Sequence, residues 1–306
     1  MVPAARAPRL VLAGALLVAL APSARADEPP PAATPTPVDT SIECPRCHPE
    51  HWTSEPYRPF FSLTAVVGYL YLKPRFSFGY GRPYALWGGI DVTPIGTTSY
   101  VGGYSGLHLQ VPYFDFRAGA RAVHAFEHQL LPQQPSYTLV DLAEIIGRPA
   151  NYLSLEAEIS GAIPAGPGDI LVLATAESIQ LVPAGYDVYD ETLHVIVSPP
   201  PVYRGRLGYA ARFLQERNLQ VGVVGEVIEI PGRQAQVYRA GVVATFDIDD
   251  HLQAVGLLVV PVLGPDSLGL AGADYTELGI RYRWATGHEH PPQEVIPPEE
   301  ESAMGR

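Results

Sequence analysis

Between Tyr113 and Ala122 the chain alternates in character: Phe114, Phe116, Ala118, Ala120 and Ala122 fall on one face, Asp115, Arg117, Gly119 and Arg121 on the other. A period of two is that of a β-strand, whose successive side chains point to opposite sides. The pattern recurs along the chain. Leu153, Leu155, Ala157 and Ile159 oppose Ser154, Glu156, Glu158 and Ser160. Leu207, Tyr209, Ala211 and Phe213 oppose Arg204, Arg206 and Arg212. Tyr238, Ala240, Val242, Ala244 and Phe246 oppose Arg239, Thr245 and Asp247. Leu278, Ile280, Tyr282 and Trp284 oppose Glu277, Gly279, Arg281 and Arg283. The fold class expected is therefore all-β.

Alternation alone fits a soluble sandwich with charges outward as well as a membrane barrel with charges inward. Two features favour the barrel. The segments run about 10 to 15 residues, long for ordinary strands and suited to a tilted bilayer crossing. Tyr and Trp recur near segment ends, where interfacial girdles stand. Apolar residues make up 47% of the chain and charged ones 17%, yet no run of eighteen apolar residues offers a transmembrane helix. Lys73 is the only lysine, so the polar faces pair Arg with Asp and Glu.

Twelve strands are expected, with ten to fourteen compatible with the pattern: 61–72, 99–110, 113–128, 137–147, 151–163, 169–182, 187–198, 203–215, 219–230, 234–248, 252–263 and 274–285. An even number is what bacterial single-chain barrels have. Segment 137–147 alternates least, and Val140 to Ile146 reads equally as a helical turn. With the first strand leaving the periplasm, the connections 111–112, 148–150, 183–186, 216–218 and 249–251 form a short-turn side. The connections 73–98, 129–136, 164–168, 199–202, 231–233 and 264–273 form a long-loop side.

The N-terminus carries an export signal. Arg6 and Arg9 precede the apolar run Leu10 to Ala21, and Ala24-Arg25-Ala26 is a small-x-small cleavage site. Four regions follow: a signal peptide over 1–26, a Pro-rich periplasmic linker over 27–59, an outer-membrane barrel over 60–286, and an acidic tail over 287–306 expected to be disordered. The net charge of −12 grows more negative once the leader is removed, which disfavours nucleic acid as a partner.

The last strand carries a resemblance. Glu277, Gly279, Tyr282 and Trp284 resemble the C-terminal targeting strand of bacterial outer-membrane β-barrel proteins: a polar residue, a glycine two later, and two aromatics at alternate positions. The resemblance implies a location in the bacterial outer membrane, contact with outer-membrane lipid, and recognition of this strand by the barrel assembly machinery. The chain departs from the pattern by continuing 22 residues beyond Trp284.

Four groups of residues are candidates for chemistry. Cys44-Pro-Arg-Cys47-His48 is the spelling of a c-type haem attachment site, and equally of a local disulfide or, with His51, a metal site. Asp247, Asp249, Asp250 and His251 resemble a protease cluster but sit where Asp is an ordinary turn former. His194 and Ser198 share a strand face four residues apart, roughly 13 Å, too far to act as a base and nucleophile. His108, His124 and His128 have no partner visible in the sequence.

The fourth group is the inward charges: Arg117, Arg121, Glu156, Glu158, Arg204, Arg206, Arg212, Glu226, Arg239, Glu277, Arg281 and Arg283. They read either as a pore selecting small solutes, anions given the arginine excess, or as a salt-bridged interior that conducts nothing. The function expected is a narrow channel or a structural membrane protein, without catalysis and without a cofactor. A barrel-anchored redox, haem or metal protein and an outer-membrane hydrolase are the alternatives.

Overall fold

The structure is a computed structural model and describes residues 56–68, 71–143, 148–213, 219–249, 251–275 and 278–287. In chain order its strands are β1 (Arg58–Gly68), β2 (Tyr71–Arg82), β3 (Leu86–Thr97), β4 (Tyr100–Val111), β5 (Phe114–Gln129), β6 (Leu131–Pro132), β7 (Pro149–Ala165), β8 (Gly168–Gln180), β9 (Tyr186–Asp190), β10 (Val195–Val197), β11 (Pro201–Phe213), β12 (Leu219–Ile230), β13 (Ala235–Asp247), β14 (Leu252–Leu263) and β15 (Gly279–Ala285). One short helix, α1 (Leu139–Ala143), lies between β6 and β7.

Twelve of these strands close into one antiparallel barrel, with β15 pairing back onto β1 from Ser62↔Ala285 to Gly68↔Gly279. The remaining three, β6, β9 and β10, make a small separate sheet. The barrel is inside-out compared with a soluble sandwich. Leu207, Val223 and Val242 on its outer wall are 62%, 64% and 55% exposed, while Asp91, Glu226 and Arg239 on its inner wall are 0%, 4% and 3% exposed.

The expected total of twelve is met, but by a partly different set of strands. Residues 73–98, expected as a long loop, form most of β2 and the whole of its hairpin partner β3. Proline and glycine hid them. Pro74 and Pro94 fall at opposing positions, and the ladder between Leu72↔Gly96 and Phe76↔Val92 lapses there, as a residue without an N–H requires. Gly79 is packing space, not a turn: a Cβ there stands 2.6 Å from Cε3 of Trp87.

Two expected strands are not barrel strands. Residues 139–143 of segment 137–147 are α1, whose start is fixed by Asp141 accepting from Thr138 N–H at 2.6 Å. Segment 187–198 breaks into β9 and β10, because Asp190 Oδ1 accepts from Thr192 and Leu193 N–H, both at 2.8 Å, and turns the chain back. The last strand begins at Gly279, not at 274.

The corrected strands redistribute the connections. The end carrying Arg58 and Ala285 has 83–85, 112–113, 166–167, 214–218 and 248–251, none longer than five residues. The opposite end has 69–70, 98–99, 130–148, 181–200, 231–234 and 264–278, including every long loop. Connection 164–168 thus moves to the short-turn end, whereas 183–186 belongs to a long loop and 148–150 spans the end of another and the start of β7.

The three long loops form a cap with its own apolar core. Leu131, Tyr137, Leu142, Tyr189, Ile196 and Leu268 are packed together in it. Below them, Val188, Leu193, Val195 and Val197 of the β9–β10 hairpin pack on wall residues such as Tyr100, Val123, Tyr152 and Ile228. The hairpin therefore enters the mouth of the barrel as a plug.

Candidate functional site

Antiparallel pairing sets the inner charges against one another. Arg206, Glu226 and Arg239 stand in one register row across β11, β12 and β13. Glu226 accepts from Arg204 Nε at 2.7 Å, Arg206 Nε at 2.8 Å and Arg239 Nη1 at 3.2 Å. A single buried carboxylate among three guanidiniums is under-compensated. The loop before β15 supplies a second: Asp274 Oδ2 lies 2.5 Å from Nη2 of both Arg204 and Arg206. Across the lumen, Arg117 pairs with Glu158 and Arg121 with Glu156, both at 2.7 Å. Nearer the short-turn end, Arg212 Nε donates to Asp169 at 2.9 Å.

His108 bridges two acids. Its Nδ1 lies 2.6 Å from Asp91 Oδ2 and its Nε2 lies 2.6 Å from Asp115 Oδ2. An imidazolium satisfies both contacts, since each ring nitrogen then donates. The ring packs against Trp87, centroid to centroid 4.3 Å.

The plug is tied to this wall by polar contacts. Arg121 donates to Thr192 Oγ1, and Arg239 Nη2 donates to the His194 carbonyl at 2.7 Å. Glu191 N–H donates to Tyr152 Oη at 3.1 Å, and its carboxylate lies 2.6 Å from His128 Nδ1. Burial raises the Glu191 carboxyl above its usual range against the opposing pull of His128. Tyr189 gives its hydroxyl proton to the Ala271 carbonyl at 2.6 Å, so Nδ1 of His194, 2.9 Å away, is the donor to that hydroxyl. Nε2 of His194 is then an acceptor, and it has no hydrogen-bond partner. Burial holds this histidine neutral, with its pKa pushed down to about 4.

Two connected spaces remain. A cavity of about 590 Å³ runs from Gln110 and Asp115 to Thr192 of the plug and Asp274. A second, of about 70 Å³, lies beside the plug, lined by Tyr71, Tyr100, Glu191, His194 and Tyr275. Both are bordered by Lys73, Arg121 and Thr192, so the smaller space continues the larger toward the loop end. Its volume suffices for about two waters.

Of the charges expected inside, Arg117, Arg121, Glu156, Glu158, Arg204, Arg206, Arg212, Glu226, Arg239, Arg281 and Arg283 stand on the inner wall; Glu277 lies outside the described residues, as do Cys44, Cys47 and His48. Gly279, Tyr282 and Trp284 are in β15, the two aromatics on the outer face. His194 and Ser198 are not a pair: Ser198 Oγ donates to Asp187, 2.5 Å away. Asp249 Oδ1 accepts from His251 and Leu252 N–H at 2.8 and 2.7 Å, a turn at the short-turn end. His124 and His128 find partners in Asn151 and Glu191.

Sequence reasoning missed Asp91, Asp274, Glu191 and the role of His194. Asp91 was hidden with β3. The others sit on loop segments whose inward course no periodicity records. Compared with protein-family profiles, curated proteins and solved structures, the chain matches none.

Proposed function

We propose that this chain is an outer-membrane β-barrel acting as a narrow, capped channel for small solutes, without catalysis. The observation that carries the reading is the inverted polarity of the barrel, with Leu207, Val223 and Val242 exposed outside and Glu226 and Arg239 buried inside. Water rewards the opposite arrangement, whereas a bilayer favours an apolar wall around a polar lumen. Short turns at the end carrying Arg58 and Ala285 and long loops at the other are the asymmetry of such barrels, short turns periplasmic. The export signal at Arg6 to Ala26 and the targeting strand at Gly279 to Trp284 support the same location. The barrel assembly machinery and outer-membrane lipid are the partners this reading implies.

The cavity of about 590 Å³ is large enough for a small solute, and among the described residues a narrow space at His194 leads from it past the plug. The channel is therefore nearly shut in this conformation. Planar-bilayer conductance tests the reading: the full chain gives small or rare openings, and a variant with 186–197 replaced by a short Gly/Ser turn gives a large steady current. Failure of boiled and unboiled protein to differ in gel mobility, together with recovery from the soluble periplasm, overturns the membrane reading.

A second reading rests on Cys44-Pro-Arg-Cys47-His48, in the segment read from the sequence as a periplasmic linker. Haem-peroxidase staining of the purified protein decides whether that segment carries haem c.

A further inference from the structure

Around the tip of the plug, four enclosed polar atoms have no hydrogen-bond partner among the described residues: Tyr104 Oη, Arg121 Nε, Glu156 Oε1 and His194 Nε2. Arg121 gathers them. It pairs with Tyr104 across β4 and β5, about 5 Å apart at the backbone. Its Nη2 holds Glu156 Oε2 at 2.7 Å, and its Nη1 donates to Thr192 Oγ1, two residues before His194. Gly106 makes room for the tyrosine, since a Cβ there would collide with Tyr104 Oη. Tyr104, Arg121, Glu156 and Thr192 line the cavity of about 590 Å³, a size within the range of small-molecule sites. Arg121, Thr192 and His194 line the smaller space that continues it.

The histidine is fixed at every other polar atom. Its N–H donates to the Asp190 carbonyl at 2.8 Å, its carbonyl accepts from Arg239 Nη2 at 2.7 Å, and Nδ1 is given to Tyr189. Nε2 is left, on a residue 7% exposed whose ring lies 5.1 Å from that of Tyr275. Enclosed polar atoms are costly without a partner, and four around one arginine call for one. Each of the four residues borders a cavity, so small side-chain rotations bring these atoms onto a ligand.

The set is mixed in kind. Neutral His194 Nε2 and Glu156 Oε1 accept, Arg121 Nε donates, and Tyr104 Oη does either. A bare anion accepts only and is repelled by Glu156. A cation suits the two acceptors and is repelled by Arg121. A hydroxyl both donates and accepts, so neighbouring hydroxyls on one molecule meet the whole set. Other charges on this wall close on one another, Arg117 with Glu158 and Arg204 with Asp274, and so present donors and acceptors side by side. The rings of Tyr100 and Tyr275 beside His194 add apolar faces for the carbon skeleton.

We infer that the space between Tyr104, Arg121, Glu156 and His194 is a binding site for a small neutral polyol, of the glycerol-to-monosaccharide class. The inference rests on the reading of the lumen as a solute compartment, but binding is measurable without conductance.

The test is saturation-transfer NMR of the full chain in a sugar-free detergent, with glucose and glycerol as probes and acetate and tetramethylammonium as charged controls. Saturable transfer to glucose or glycerol is expected, with both controls silent. Tyr104→Phe deletes a hydroxyl without breaking a hydrogen bond among the described residues. It should weaken binding about fivefold, the scale of one neutral hydrogen bond. His194→Leu weakens it similarly, and His194→Gln, which keeps an acceptor, recovers part of the loss. Tighter glucose binding identifies a monosaccharide as the occupant, and glycerol binding at least as tight identifies a shorter polyol. Absence of saturable transfer from heat-modifiable, folded protein overturns the site, as does undiminished binding by Tyr104→Phe or acetate binding as tight as the polyol's. A protein that binds the polyol but never conducts keeps the site and loses the channel; one that conducts without binding does the reverse.

Discussion

Asp274 and Arg204 meet at 2.5 Å although 70 residues separate them in the chain. One belongs to the loop before the last strand and the other to the wall, so the contact fixes the cap onto the barrel.

Removing that carboxylate should loosen the cap. Asp274→Ala leaves Arg204, Arg206 and Arg239 with Glu226 alone, and breaking a buried pair by deleting one partner costs about 3 kcal/mol. The expected outcome is a lower denaturation midpoint in micelles and more frequent openings in bilayers. An unchanged midpoint would show that Asp274 is a bystander.

The outer wall gives a sharper discrimination between environments. Leu207 sits mid-strand and is 62% exposed. In water Leu207→Arg changes stability by less than about 0.5 kcal/mol; at a bilayer midplane it costs about 2–4 kcal/mol. Urea titration of protein folded into phospholipid vesicles separates the two.

Acid should open the cap through His194. Its folded pKa of about 4 lies below the ordinary value of 6.5, so the unfolded segment takes up the proton first as pH falls. Its contribution is fully present above pH 6.5 and is lost progressively down to about pH 4, by up to about 3 kcal/mol. Asp190, Asp274, Arg204 and Arg239 face the ring, and the raised Glu191 works in the opposite sense by gaining a proton in the folded state. Hydrogen exchange of residues 186–197 should quicken across that window in the native chain, and His194→Gln should abolish that quickening.

A second latch lies within the cap. Tyr137 Oη donates to Asp187 at 2.7 Å, and Arg233 lies 4.9 Å above the ring. Tyr137→Phe removes one donor from the buried Asp187 carboxylate, which Ser198 still holds, at a cost of about 1 kcal/mol. Limited proteolysis should then cut connection 130–148 faster while leaving the barrel strands intact.

What the sequence disclosed followed from regularity. The row Arg206–Glu226–Arg239 was legible because each residue lies in an alternating strand, and period two alone assigns it to the inner face. Pro74 opposite Pro94 broke that regularity and concealed a hairpin of the wall. Tyr186 to Asp190 is a strand, but its side chains from Asp187 on are buried in the cap, and the turn at Asp190 was decided by a side-chain oxygen. Asp274 had no pattern to reveal it, since a loop's path into the mouth depends on the guanidiniums it meets there.

The cap also constrains the order of folding. Tyr137 bonds to Asp187, 50 residues away, and to Asp266, 129 residues away. These three loops come together only after β5, β8 and β14 have taken their places, because contacts so distant in the chain are slow to form from an open one. Cap assembly is thus a late step that reports on the barrel: protease resistance of the loops measures completion of the wall beneath them.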